Sequence, residues 1–309
     1  MKIARTLLSF RIEVPSGYDL LASVHSWIYP DIQPVPEQTG KGYFGRAHSM
    51  HGDKFALIIR QSNPGDDLRI DYSKTKLPWS TLKALVVKTL GLGINFDDAL
   101  KCMAKDEAIS HLVSGVAGIR PYMSPTPYEA LIKTIIQQQV SYRSANIFTK
   151  RMILELTSPI TYEGQSWYHF PDATTIAEKG PEGLKEYGFG YKTEYIHGVA
   201  SRIAEGSLEL DSLVGIPYER VLERLKPIHG IGVWTTKVLS LAGLGDFSVF
   251  AYDDLVIQKI LGKLFNDGQR MNAKQVQEKS AEWGEAGTKV LYLLMSAEVL
   301  GLLSSAEKS

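Results

Sequence analysis

Cysteine is almost absent from this chain: Cys102 is the only one in 309 residues. A single thiol excludes an intramolecular disulfide, a cysteine-ligated iron–sulfur cluster and a multi-cysteine zinc site, and it fits a reducing, cytoplasmic setting. Net charge is missing as well, with 34 basic residues against 34 acidic ones. The chain therefore wears no basic coat, and any nucleic-acid contact must come from a local patch and from backbone amides. No apolar run reaches membrane-spanning length, and Met1 to Ser9 lacks the apolar core and cleavage site of a secretory signal. The seven histidines are scattered without metal-ligand spacing. No catalytic metal, no organic cofactor and no membrane partner are expected.

What is present is ordinary soluble-protein material, 44% hydrophobic and 22% charged, in a length that favours two domains over one. From Thr6 to Val14, the apolar Leu8, Phe10, Ile12 and Val14 alternate with Ser9, Arg11 and Glu13, the period of a half-buried strand. A helix is expected near Tyr18 to Ile28, then strands at Gly42–Ser49, Lys54–Gln61 and Leu68–Tyr72. The turns His51-Gly52-Asp53 and Asn63-Pro64-Gly65-Asp66-Asp67 separate them as in an antiparallel meander. Leu82, Leu85, Val86 and Leu90 mark a helix face. Beyond about Asn95 the spacing becomes helical, with a capping box at Thr126-Pro127-Tyr128-Glu129. Further helices are expected over 191–205, 217–225, 232–242, 254–265, 273–283 and 288–302. The fold class is α+β: a small antiparallel sheet with helices over 1–94, followed by an all-α bundle over 95–309. A monomer is expected.

The stretch Leu225 to Lys237 contains His229-Gly230-Ile231-Gly232-Val233-Trp234, and one helix further on comes Phe250-Ala251-Tyr252-Asp253-Asp254-Leu255. Gly230 and Gly232 let the backbone turn tightly and bare N–H groups at a helix start, where the peptide dipoles favour an anion such as a phosphate. Each half alone has a plain reading: a Gly-x-Gly is often only a helix turn, and an acid before Leu255-Val256-Ile257 only an N-cap. Together they place carboxylates beside an anion grip.

In these segments the chain resembles the helix-hairpin-helix DNA glycosylase superfamily, above all its 3-methyladenine DNA glycosylase II type. The hairpin over about 222–242 looks like the family's apolar-Pro-Gly-Ile-Gly-x-Trp-Thr-Ala motif, with His229 in place of proline. Val249 to Asp254 looks like the segment carrying the catalytic aspartate. Ala130 to Ser141 is similar to the helix and turn that push a side chain into DNA, and Gly188-Phe189-Gly190-Tyr191-Lys192 is similar to a Gly-x-Gly-Tyr-Arg/Lys segment shared with 8-oxoguanine DNA glycosylases.

The resemblance implies an enzyme of base excision repair that works on double-stranded chromosomal DNA. It would flip a damaged, alkylated purine and hydrolyse its N-glycosidic bond to leave an abasic site. Asp254 is the implied catalytic carboxylate, and Asp253 a supporting acid or helix cap. His229, Gly230, Ile231, Gly232 and Val233 would bind phosphate, and their carbonyls would hold a structural sodium or potassium ion. Gln138 and Gln139 are the implied wedge, with Gln139 the better match. Trp234, Tyr191, Phe189 and Met295 are the implied lesion pocket, with a place in the core equally open for Tyr191 and Phe189. Trp234 stands where bifunctional relatives carry a Schiff-base lysine, which implies a monofunctional enzyme. Lys237, one turn on, reads as solvent- or phosphate-facing, and Lys192, Arg143 and Lys150 as phosphate contacts or solvated surface.

The chain departs from the pattern at Val238, Leu255 and Met295, where aromatic cleft residues are expected, so oxidised or deaminated bases stay open as substrates. Two other readings stay open: a non-catalytic helix-hairpin-helix DNA-binding module, and a helical scaffold for another protein.

Overall fold

A computed structural model of the chain describes residues 8–303. The expected alternation produces strand β1 (Leu8–Ile12); its expected start at Thr6 lies outside the described residues. Helix α1 (Leu20–His25) follows, opened by Asp19, whose carboxylate accepts from the Ala22 amide at 2.9 Å. Strands β2 (Gln38–Gly40), β3 (Tyr43–Met50), β4 (Asp53–Arg60) and β5 (Leu68–Tyr72) complete a five-stranded antiparallel sheet in the order β1-β5-β4-β3-β2. The β3–β4 turn is made by His51 and Gly52, both at positive φ (51° and 75°), the geometry that matches the strands' twist.

The helices continue as α2 (Trp79–Thr89), α3 (Asp97–Lys105), α4 (Val113–Val116), α5 (Pro127–Gln137) and α6 (Tyr142–Leu156). A small hairpin, β6 (Ile160–Tyr162) and β7 (Gln165–Trp167), interrupts them. Then come α7 (Ala173–Leu184), α8 (Lys192–Ala204), α9 (Tyr218–Leu225), α10 (Val233–Leu239), α11 (Leu255–Phe265), α12 (Ala273–Glu282) and α13 (Gly287–Val299). Thr126 caps α5 by accepting from the Glu129 amide at 3.1 Å, and the Glu129 carboxylate pairs with Lys133 at 2.7 Å. Among the described residues, no helix is long and apolar enough to cross a membrane.

The compact units of the chain do not follow a single cut near residue 94. Among the described residues the first unit takes 8–16, 28–87 and 135–209, and the second takes 17–27, 88–134 and 210–303. One reason lies in the β6–β7 hairpin, which helical spacing did not anticipate. It carries Trp167 into the sheet's own core, fully buried against Ala47, Ala56 and Ile58. The opposing residue is Gly45, where a Cβ would stand 2.5 Å from the indole. The sheet thus needs a side chain from far along the sequence to close one face.

The second unit is built around α13, buried at nine positions from Gly287 to Ala297. A helix apolar on all sides must run through a core rather than lie on it, and α3, α4, α11 and α12 supply the surrounding residues, among them Met103, Val116, Leu261 and Val276.

In the first unit His169 is 3% exposed, with Nδ1 2.9 Å from the Phe170 carbonyl and Nε2 buried without a partner. Burial pushes its imidazole below the ordinary value. As pH falls below about 6.5, the unfolded chain binds a proton that the native one resists, so this group costs stability on the acid side, by at most ~1.4 kcal/mol per pH unit. Thermal melts from pH 7 to pH 5 should fall less steeply for His169→Gln than for the wild type.

Candidate active site

The hairpin is made by the end of α9 and the start of α10. The Ile228 amide donates to Leu225 at 2.9 Å and the Ile231 amide to Ile228 at 3.0 Å, and Gly230 then reverses the chain at φ +87°, a conformation that favours glycine. Ile231 is buried and anchors the turn, while His229, Gly232 and Val233 are exposed. Gly232 is the N-cap of α10 and has no side chain with which to satisfy it. Its carbonyl accepts the amide and the hydroxyl of Thr236, each at 3.0 Å. A Cβ added at Gly232 would meet nothing within 4 Å. With its extended backbone (φ −109°), the protein requires glycine there neither for space nor for conformation.

The acidic pair separates cleanly. Asp254, half-buried, is the N-cap of α11 with extended backbone (φ −66°, ψ 127°). Its Oδ1 accepts from the Val256 amide at 2.8 Å, and its Oδ2 accepts from the Trp234 indole N–H at 3.4 Å. Asp253 is exposed. The helix-cap role expected of Asp253 therefore belongs to Asp254, because it is the residue immediately before Leu255 that has the extended geometry a cap needs.

Asp254 opens onto a small recess of about 40 Å³, whose other walls include Phe250, Val238, Met295, Trp27 and Tyr292. Met295 is thus a pocket residue, and Trp234 reaches the site through its hydrogen bond to Asp254. Trp27 and Tyr292 were not singled out in the sequence. Their rings stack at 5.7 Å and 27°, and the Trp27 indole N–H donates to the Tyr292 hydroxyl, which also accepts from the Tyr122 amide at 3.3 Å. Burial pushes the Tyr292 phenol up to about 12, so it serves as a neutral anchor. Of this pair only Trp27, half-buried, keeps aromatic surface toward the recess; Tyr292, 1% exposed, holds it in place.

Lys237 departs from its solvent- or phosphate-facing reading. It lines the same recess, with its ammonium 5.2 Å from the centre of the Tyr252 ring. Tyr252 also borders a larger recess of about 640 Å³ with Phe247, Glu285 and Lys289. That space lacks Asp254 and every hairpin residue, so size alone does not make it the reaction site.

Phe189 is a correction. At 1% exposure its ring is packed edge-on against Tyr187 and Phe148, so it offers no face to a base and is a core aromatic. Tyr191 is exposed and meets Tyr195 edge-on. Gln139 is exposed at φ +55° between α5 and α6, and Gln138 is half-buried beside it. Lys192 is buried, which removes it from phosphate contact, and Arg143 pairs with Asp31 at 2.5 Å.

Among the described residues no group of three or more His, Cys, Asp or Glu side chains is placed to hold a metal ion.

Comparison with known proteins bears on this arrangement. The model of the family described as "HhH-GPD superfamily base excision DNA repair protein" matches residues 132–286, just over half of the chain. The DNA-3-methyladenine glycosylase of Bacillus subtilis is 27% identical over 169 residues, 54% of this chain and 56% of that protein. DNA-3-methyladenine glycosylase 1 of Schizosaccharomyces pombe is 30% identical over 158 residues, 50% of this chain and 65% of that one. The chain thus spans less than two thirds of the length of these curated relatives. Among solved structures, a 3-methyladenine DNA glycosylase from Archaeoglobus fulgidus superposes with a TM-score of 0.84 at 25% identity, covering 93% of this chain and 98% of that one. An 8-oxoguanine glycosylase/lyase of Clostridium acetobutylicum shares the fold, with a TM-score of 0.69 at 17% identity, over 93% and 95% of the two chains.

Removing the phenolic oxygen should expose how much the recess depends on it. Tyr292→Phe strands the Trp27 indole N–H and the Tyr122 amide in the core, and should cost ~1–3 kcal/mol of unfolding free energy in urea titration. An unchanged midpoint would show that the two donors find other acceptors.

Proposed function

The chain belongs to the HhH-GPD superfamily of base excision DNA repair proteins, and from that premise we propose that it is a monofunctional DNA glycosylase acting on duplex DNA with an alkylated purine. The observation that carries this reading is Asp254: a carboxylate held by the Val256 amide on one oxygen and the Trp234 indole on the other, at the edge of an aromatic recess.

The chemistry follows from that placement. When the C1′–N bond breaks, its electron pair leaves with the base and positive charge develops on the sugar. A carboxylate already fixed in orientation stabilises that charge without reorganising. Water then forms the new C1′–O bond and gives up a proton, for which Asp254 is the available acceptor. A cationic methylated purine departs as a neutral base and needs no proton of its own. The flipped nucleotide must first be held, at a cost of a few kcal/mol in unstacking. The exposed amides at Gly232 and Val233 would grip an adjacent phosphate, and Gln139 would fill the vacated space. Main-chain carbonyls of the hairpin would hold a sodium or potassium ion, a donor set suited to a weakly charged cation.

Lys237 favours a second reading of the substrate. An ammonium on the wall of the recess repels a cationic base and can donate to an acceptor on a neutral one, so a deaminated or oxidised purine is the alternative. Release of hypoxanthine but not 7-methylguanine from single-lesion duplexes would decide for that reading, and the reverse pattern for alkylated bases.

Asp254→Asn should fold normally, because asparagine caps helices as well as aspartate does. It should lose excision by about 100-fold or more, while Asp253→Asn stays near wild type. Retained activity in Asp254→Asn overturns the assignment. Borohydride added during turnover should trap no covalent DNA adduct, since Trp234, at the position of the Schiff-base lysine, cannot form an imine. An adduct present in the wild type and absent in Lys237→Met would make the enzyme a lyase as well.

A further inference from the structure

Lys192 carries its charge inside the protein, at 2% exposure. Its Nζ donates to the Ile136 carbonyl at 2.6 Å and to the Gln138 carbonyl at 3.0 Å. These lie at the C-terminal end of α5, where the last carbonyls lack helical donors and the dipole favours a cation. The lysine is led there by a fitted segment. Gly188, at φ +91°, leaves a Cβ only 3.0 Å from the Phe148 ring, and the Gly190 carbonyl accepts from the Thr193 hydroxyl at 2.9 Å.

Just past the two held carbonyls the chain reverses at Gln139, whose φ of +55° is disfavoured for any side chain but glycine's hydrogen. Two residues later Ser141 caps α6, accepting from the Ser144 amide at 3.0 Å. The Gln139 turn is therefore held by α5 before it, by the Ser141 cap after it and by Lys192 beneath it. The Gln139 side chain is left exposed.

We propose that Lys192 is a positioning residue whose buried ammonium locks the turn at Gln138 so that Gln139 enters the duplex as a preformed wedge. The idea rests on the glycosylase reading above. A loose turn would have to be ordered at the moment of insertion, at a cost in conformational entropy. The lysine removes that cost by fixing two carbonyls from one atom, and it does so without touching DNA.

The test uses duplexes with a tetrahydrofuran abasic analogue and a neighbouring 2-aminopurine, whose fluorescence rises when the stack is opened, with no excision required. The wild type is expected to give the rise. Lys192→Met should still bind the duplex but lose the rise by about tenfold or more, the scale of hydrogen bonds to a charged donor. Lys192→Arg should restore much of it. The double variant Lys192→Met/Gln139→Ala should be no worse than Gln139→Ala alone, since both act through one wedge. If Lys192→Met does not fold, Lys192→Gln replaces it with the same expectation. A full rise in a folded Lys192 variant, losses that multiply in the double variant, or no rise with the wild type each overturns the proposal. Base release from a lesion duplex is measured alongside, so a wild type that opens the stack without releasing a base sinks the glycosylase reading and leaves the wedge standing.

Discussion

The candidate site depends on one buried oxygen. The Tyr292 hydroxyl sits in the apolar core of the second unit, 1% exposed, with its ring between Phe96 and Phe247. A polar atom there is costly unless its partners arrive, and an indole N–H or an amide brought in with it is equally costly if left alone. The Trp27 indole and the Tyr122 amide both converge on it, from segments far apart in the chain. Satisfying three groups at once fixes where Trp27 can stand, just beyond the end of α1. The wall of the recess is thus set by a hydrogen-bonding requirement in the core rather than by anything in the loop that carries the tryptophan.

Asp254 answers a related problem at the surface of that recess. A carboxylate useful to a developing cation must be immobile, yet it cannot have all its lone pairs tied up. As the N-cap of α11 it gives one oxygen to the Val256 amide, which fixes its orientation, and leaves the other facing a single long contact from Trp234. Helix capping, usually only a stability device, here also aims the group. Asp253, one residue earlier, has the same chemistry but lies exposed, outside the helix that Asp254 caps.

Much of this was legible in the sequence, for local reasons. Glycine spacing, the capping signal at Thr126 and the helical periods of α8 to α13 are short-range patterns, and the structure places the helices within a few residues of them. The strands β3 to β5 were legible from turn residues and alternation. What escaped depends on long-range partners. Trp27 meets Tyr292 across 265 positions, and Trp167 fills a face of a sheet formed about a hundred residues earlier. Nothing in the neighbourhood of either tryptophan announces its destination. Phe189 and Tyr191 could not be told apart for the opposite reason: a motif with two neighbouring rings does not reveal which one turns inward. The left-handed glycines around it decide that, and their effect is visible only once the chain is folded.

Lysine usage in the folded chain sharpens the consequence of its zero net charge. Lys192 holds the end of α5, Lys237 lies over Tyr252, Lys88 donates to the Pro125 carbonyl and Lys289 to the Asn95 carbonyl. Burial holds Lys192 and Lys88 below the ordinary lysine value, as expected for ammonium groups with main-chain acceptors in place of water. These cations contact turns and ring faces, and Lys192 among them is fully withdrawn from solvent. On the proposed reading, the uncapped amides at Gly232 and Val233 would give a grip on a nucleic-acid backbone that does not depend on lysine. Such contacts are short-ranged and release few counterions, so they favour accurate seating at one phosphate over attraction from a distance. That suits a site whose carboxylate would repel a backbone that came too near it.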